Sequence, residues 1–146
     1  EKQHFDCCHG ITLDSRDNNN SLLITSRTAN CFKRFSLDGK YIETIKLPSC
    51  YICRPVLKNG MLYFAVIVTK DWSTYDGMLA VLDKSNTIVS LPGGSMPSYQ
   101  GKSLITPNYD QKTFLNPHDV CIDDDENIYV PQWNSGKTYP IKLTRI

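Results

Sequence analysis

Cys8-His9-Gly10-Ile11-Thr12-Leu13-Asp14 near one end of the chain and Pro117-His118-Asp119-Val120-Cys121-Ile122-Asp123 near the other share one pattern. A histidine is followed by apolar residues at every second position, and the run closes on an aspartate. A polar turn comes next in each case, DSRDNNN or DDDEN, and then a second apolar run, Leu22-Leu23-Ile24 or Ile128-Tyr129-Val130. Alternation at period two is the mark of a half-buried strand, and two such strands around a polar turn make a hairpin. A chain that owns only three histidines and opens two hairpins with one is repeating a structural unit.

Period-two spacing runs almost throughout, and helical spacing is hard to find. In the first unit the strands are Gly10–Asp14, Ser21–Thr25, Cys31–Leu37 and, after the tight turn Asp38-Gly39, Tyr41–Leu47. The middle unit gives Ile52–Lys58, the turn Asn59-Gly60, Met61–Thr69, the polar loop KDWSTYDG, Met78–Leu82 and Thr87–Leu91. The last gives Val120–Asp123, Ile128–Val130 and Tyr139–Leu143, one strand short. The units span 9–48, 50–92 and 117–146 in a single domain. Four-stranded meanders of about 40 residues repeated along a chain predict the blades of a β-propeller. A sandwich or an open barrel also uses short, evenly spaced strands, but its strands seldom repeat sequence as units one and three do. Residues 92–114 hold no sustained period, and a loop that long is expected to be functional or mobile.

With 146 residues, 40% of them hydrophobic, the chain is one domain with a real core. Sixteen Lys and Arg against fifteen Asp and Glu leave a net charge of +1, so no long-range field draws the surface to phosphate or anionic lipid. Nucleic acid and membrane are therefore not expected as partners. The longest uncharged apolar run, Met61–Thr69, is about half of what a spanning helix needs and reads as a buried strand. No Met and no leader stand at Glu1, which predicts a processed form or a piece of a longer protein.

Six cysteines, at 7, 8, 31, 50, 53 and 121, are far sparser than in a disulfide-built miniprotein. Cys50-Tyr51-Ile52-Cys53 has no second pair at matching spacing, so buried thiols or disulfides are favoured there over zinc. Asn19-Asn20-Ser21 is a glycosylation sequon, usable only in a secretory pathway. Asp123-Asp124-Asp125-Glu126 lacks EF-hand spacing and reads as a solvated hairpin turn. Ser98 and Ser103 have no histidine at recognisable spacing, which argues against a serine hydrolase.

CHGITLD, LLITSR, CFKRFSLDG and NPHDVCIDDDENIYVPQW together resemble the NHL-type six-bladed propellers. Within them they are similar to the peptidylglycine α-hydroxyglycine α-amidating lyase domain and its bacterial relatives. The likeness covers most of the chain but only the carboxyl-terminal half of such a ring. It implies an all-β, NHL-type propeller of about three four-stranded blades, the last incomplete. It also implies a zinc on the propeller axis held by three histidines, with His9 and His118 at two of those positions. By the same likeness Asp119 falls on a carboxylate that helps hold a structural calcium, and Arg27 on an active-site arginine. The third histidine and an active-site tyrosine would belong to blades that precede Glu1.

Propeller geometry leads to the same residues. The first strand of each blade lines the axis, and its start lies at the rim of one face, where ligands meet the channel. His9 and His118 occupy that place, and the antiparallel second strand returns Arg27 beside His9 and Trp133 beside His118. Two functions of different class are then expected. One is a zinc-dependent lyase acting on a small peptide-derived or carboxylate-bearing substrate, with Arg27 steadying the carboxylate or oxyanion and Trp133 contacting the substrate. The other is a non-catalytic propeller that binds a peptide, protein or glycan. Against both stand plainer roles: a histidine that pins a local turn, an arginine that pairs a carboxylate between blades, and Trp133, Tyr129 and Tyr139 as ordinary strand aromatics. Half a ring also implies a partner. Either further blades of a protein about twice as long or a second copy, in a three-plus-three ring, would cover its open faces.

Overall fold

Two four-stranded meanders and a three-stranded one follow each other along the chain in a computed structural model that describes residues 3–108 and 113–145. Blade 1 consists of β1 (Cys8–Asp14), β2 (Ser21–Ser26), β3 (Cys31–Ser36) and β4 (Tyr41–Lys46). Blade 2 consists of β5 (Val56–Lys58), β6 (Met61–Val66), β7 (Met78–Leu82) and β8 (Ile88–Ser90). A small hairpin, β9 (Tyr99–Gln100) with β10 (Ser103–Leu104), precedes blade 3, which is β11 (Cys121–Ile122), β12 (Ile128–Val130) and β13 (Ile141–Leu143). Every pairing is antiparallel and each blade is in simple sequence order. There is no helix among the described residues.

The core lies in two layers, one on each side of blade 2. Leu23, Phe32 and Ile45 of blade 1 meet Leu62, Phe64, Val66 and Ala80 of blade 2. On the other side Ala65, Ile67 and Leu79 meet Val120 and Val130, with Ile128, Ile141 and Leu143 packed around them. Successive residues of a strand point to opposite faces. A strand buried on both faces must therefore be apolar without a break, which accounts for the run Met61–Thr69 and for β7, whose five residues are all buried. In blade 1, β1 and β2 alternate because one of their faces is open, Ile11 and Leu13 being 54% and 50% exposed, whereas β3 is buried on both faces, Phe5 stacking on Phe35.

The loop expected at 92–114 is partly ordered into β9 and β10, which are too short to show a period. It packs on blade 2: Leu104 joins the first core layer, Phe114 the second, and the Tyr99 hydroxyl donates to Ile88 O while accepting from Ile88 N. The part of that loop at 109–112 lies outside the described residues. The acidic turn closes the β11–β12 hairpin, its Asp123 carboxylate accepting from Asn127 N, Asn127 Nδ2 and the Tyr129 hydroxyl.

One irregularity recurs in all three blades and positions the site. Cys8 faces Ser26 whereas Ile11 faces Ile24, so the inner strand takes one more residue than its partner over that stretch. Ile52 faces Val66 and Val56 faces Tyr63, and Pro117 faces Gln132 and Cys121 faces Tyr129, with the same one-residue excess. Such a bulge bends the strand and re-aims the side chains beside it. It also explains why β5 is shorter than the expected Ile52–Lys58. In blade 1 the bulge contains Gly10, at φ 151°, where an added Cβ would lie 2.6 Å from Arg54 Cβ of blade 2. Only glycine lets the two inner strands approach so closely.

Candidate functional site

The shared register makes His9, Cys53 and His118 equivalent, each one residue beyond the paired positions Cys8, Ile52 and Pro117. It likewise makes Arg27, Ile67 and Trp133 equivalent. Their amides donate to the carbonyls of Cys7, Tyr51 and Asn116 at 3.0, 2.9 and 2.9 Å. These two sets converge. The His9 and His118 rings meet edge to face, centroids 5.1 Å apart and planes at 71°. A cavity of about 310 Å³ opens beside them, lined by His9, Arg27, Ile67, Trp72, His118 and Trp133. Residues from opposite ends of the chain thus share one site, as expected for strands that each begin at a common axis.

Arg27 is the unusual member. It is 4% exposed, and its Nε donates to Ile52 O at 3.1 Å while a terminal nitrogen reaches Cys53 Sγ at 3.0 Å. Burial pushes the Cys53 thiol up to about 11 and that of Cys50 to about 12, so neither supplies a negative charge at neutral pH. No carboxylate pairs with Arg27 among the described residues. A buried guanidinium without a counter-ion is costly, and its charge is available to an anion entering the cavity. Burial first, then the charges of Arg27 and His9, hold His118 below the usual imidazole value against the opposing pull of Asp119. His118 is therefore neutral at pH 7, the form in which imidazole accepts a proton or binds a metal.

Asp119 stands apart from the pair. Its carboxylate takes Arg54 Nη2 at 3.0 Å and caps Val120 N at 2.9 Å, so it links blades 2 and 3 in the layer next to the histidines. Among the described residues no group of three or more His, Cys, Asp or Glu side chains is placed to hold a metal ion.

Trp72, in the loop between β6 and β7, is a site residue that sequence reasoning missed. Its indole is 47% exposed and leans on Tyr51, with centroids 5.7 Å apart. The loop is tied at both ends by the buried Asp76, which accepts from Thr69 N at 3.0 Å, Thr69 Oγ1 at 2.6 Å and Thr74 Oγ1 at 2.9 Å. Two buried side-chain oxygens lack a partner among the described residues, Thr28 Oγ1 and Asn116 Oδ1. They flank Arg27 and His118 in sequence, and unsatisfied groups of this kind cost about 1–3 kcal/mol each.

No protein-family model matches the chain, and no curated protein does. Solved structures do. The chain is similar to selenomethionine-substituted virginiamycin B lyase from Staphylococcus aureus, with a TM-score of 0.58 and 13% identity over 99% of this chain and 43% of that one. It is similar as well to a catalytically inactive histidine-to-alanine form of that enzyme with quinupristin, with a TM-score of 0.54 and 13% identity over 94% and 41%. The chain is part of a β-propeller. It spans less than half the length of these neighbours. At 13% identity the likeness carries the architecture, while the NHL type and the kinship with the amidating lyase rest on the sequence motifs alone.

Proposed function

We propose that the cavity beside His9 and His118 is a lyase-type site for a small carboxylate-bearing or peptide-derived substrate. The observation that carries this reading is Arg27, buried beside the histidine pair with no carboxylate paired to it among the described residues. In this reading Arg27 receives the substrate carboxylate or the oxyanion that develops on its carbonyl, where a desolvated charge is worth most. Ile67 and the two indoles exclude water. The neutral His118 offers a lone pair toward the reacting centre, and His9 fixes its orientation.

The pair also fits half of a zinc site. Ring nitrogens lie about 2.0–2.1 Å from zinc, and two imidazoles at a tetrahedral angle about one ion have centroids about 5 Å apart. His9 and His118 match that spacing and would hold two corners, with the remaining donors outside the described residues. When bound there, zinc would polarise a hydroxyl or carbonyl oxygen. Calcium at Asp119 requires its carboxylate to serve both the ion and Arg54. Partners follow from the open faces: the outer face of blade 1 and the free edge of β13 would be covered by further blades, from more chain or from a second copy.

The test is turnover of virginiamycin B and of a hydroxyglycine-ended peptide, followed by mass spectrometry with added zinc and again with chelator. The expected result is an elimination product formed at least about 100-fold more slowly by His118→Ala. Because His118 is held below the ordinary imidazole value of 6.5, the rate should fall only as pH drops below 6.5. Arg27→Gln removes one cause of that depression and should move the acid limb upward. A folded protein that takes up no zinc, turns over neither compound and shows no such limb would leave the binding-module reading in its place.

A further inference from the structure

The chain contains two tryptophans, and both line this one cavity from different blades. Trp72 comes from the β6–β7 loop of blade 2, and Trp133 from the end of β12 in blade 3, where its amide is fixed to Asn116 O at 2.9 Å. Both indoles are about half exposed, at 47% and 53%. Leaving that much aromatic surface in water forfeits burial energy the fold collects elsewhere, and exposed apolar surface concentrated in a concave site marks ligand contact. The Trp72 ring is not left loose: Tyr51 backs it and Asp76 pins its loop. The cavity, at about 310 Å³, is at the small end of ligand pockets, enough for one ring and a short acid.

We propose that Trp72 and Trp133 form a clamp for an aromatic ring whose nearby carboxylate is received by Arg27, so that the site selects small aromatic carboxylates such as the aromatic end of a peptide. This rests on reading the cavity as the substrate site and narrows the substrate class. Stacking between aromatic rings is worth about 0.5–1.5 kcal/mol beyond burial, so each indole accounts for up to about tenfold in affinity.

Because Trp72 and Trp133 are the only fluorophores of their kind in the chain, tryptophan emission reports on this site alone. The experiment titrates the full chain, with chelator present, with N-acetylphenylalanine, N-acetylalanine and N-acetylphenylalaninamide. Calorimetry of Trp72→Ala and Trp133→Ala accompanies it, with the Phe variants as conservative controls. A saturable emission change with N-acetylphenylalanine is expected, with binding at least about tenfold weaker without the ring and without the carboxylate, weakened by up to about tenfold in each Ala variant and restored by Phe. Equal binding of N-acetylalanine and N-acetylphenylalanine, or no saturable change, would overturn the clamp. Selective binding without turnover of any substrate would support the clamp while the lyase reading fails, so the two stand or fall separately.

Discussion

Phe64→Ala is expected to lower the stability of the fold by about 3–5 kcal/mol. Phe64 is fully buried on the blade 1 side of β6 and meets Phe32 edge to face, with centroids 5.0 Å apart at 89°. It is the largest side chain of blade 2 in that layer, and neighbours on two sheets cannot both collapse into the space left behind. Domains of this kind are stable by about 5–15 kcal/mol, so the loss consumes a large share. Urea denaturation followed by circular dichroism should show a lower midpoint with an unchanged slope. Ile42→Ala, at a residue 51% exposed on blade 1, should change the stability by no more than about 0.5 kcal/mol. Equal effects of the two substitutions would mean that blades 1 and 2 do not share this layer.

Asp14→Ala should cost a comparable amount, about 3–5 kcal/mol, for an electrostatic reason. The Asp14 carboxylate is buried between Arg16 at 2.7 Å and Arg34 at 2.8 Å. Arg16 also donates to Asp83 O and to Asn86 Oδ1 of the β7–β8 turn, so the cluster joins blade 1 to blade 2. Removing the carboxylate leaves the buried Arg16 guanidinium without a counter-charge among the described residues and leaves Arg34 only the partly exposed Glu43, at 2.8 Å. Burial alone would raise the Asp14 pKa, but the hydrogen bonds from Arg16 and the charges of Arg16 and Arg34 outweigh it and hold the group below its ordinary value of 3.8. A depressed carboxylate contributes stability that is fully present above the unfolded value and is lost as pH falls through the folded one. The difference between wild type and Asp14→Ala should therefore be constant near neutrality and shrink below about pH 3.8. A difference that stays constant into the acid range would contradict the pairing.

The parts of the fold legible in sequence are those that repeat. His9 and His118 begin equivalent strands, and a one-sided burial pattern makes β1 and β2 alternate as β11 and β12 do, so register between them could be read directly. Blade 2 broke the pattern twice: burial on both faces removed its alternation, and Cys53 and Ile67 stand where blades 1 and 3 carry His9, His118, Arg27 and Trp133. Placing Cys53 in the histidine slot needed only the spacing from Cys53 to the β6 run, but a buried thiol carries none of the polar signal that marks His9 and His118. Arg27 and Trp133 could be placed because a second strand must return beside the first. Trp72 could not, since it sits in a polar loop whose course is set by hydrogen bonds to Asp76 and by contact with Tyr51. The pairing of Asp119 with Arg54 was hidden likewise, because it depends on which bulge residues face one another across blades.

A common site requires that His9 and His118 meet, and nuclear Overhauser spectroscopy of histidine-labelled protein tests that meeting most directly. With three histidines, single substitutions assign every ring. A cross-peak between ring protons of His9 and His118 is expected from centroids 5.1 Å apart, together with a rise in the pKa of His118 when His9→Gln removes a neighbouring charge. Rings without a cross-peak, and a His118 titration indifferent to His9, would place the two histidines in separate surroundings and contradict a common site.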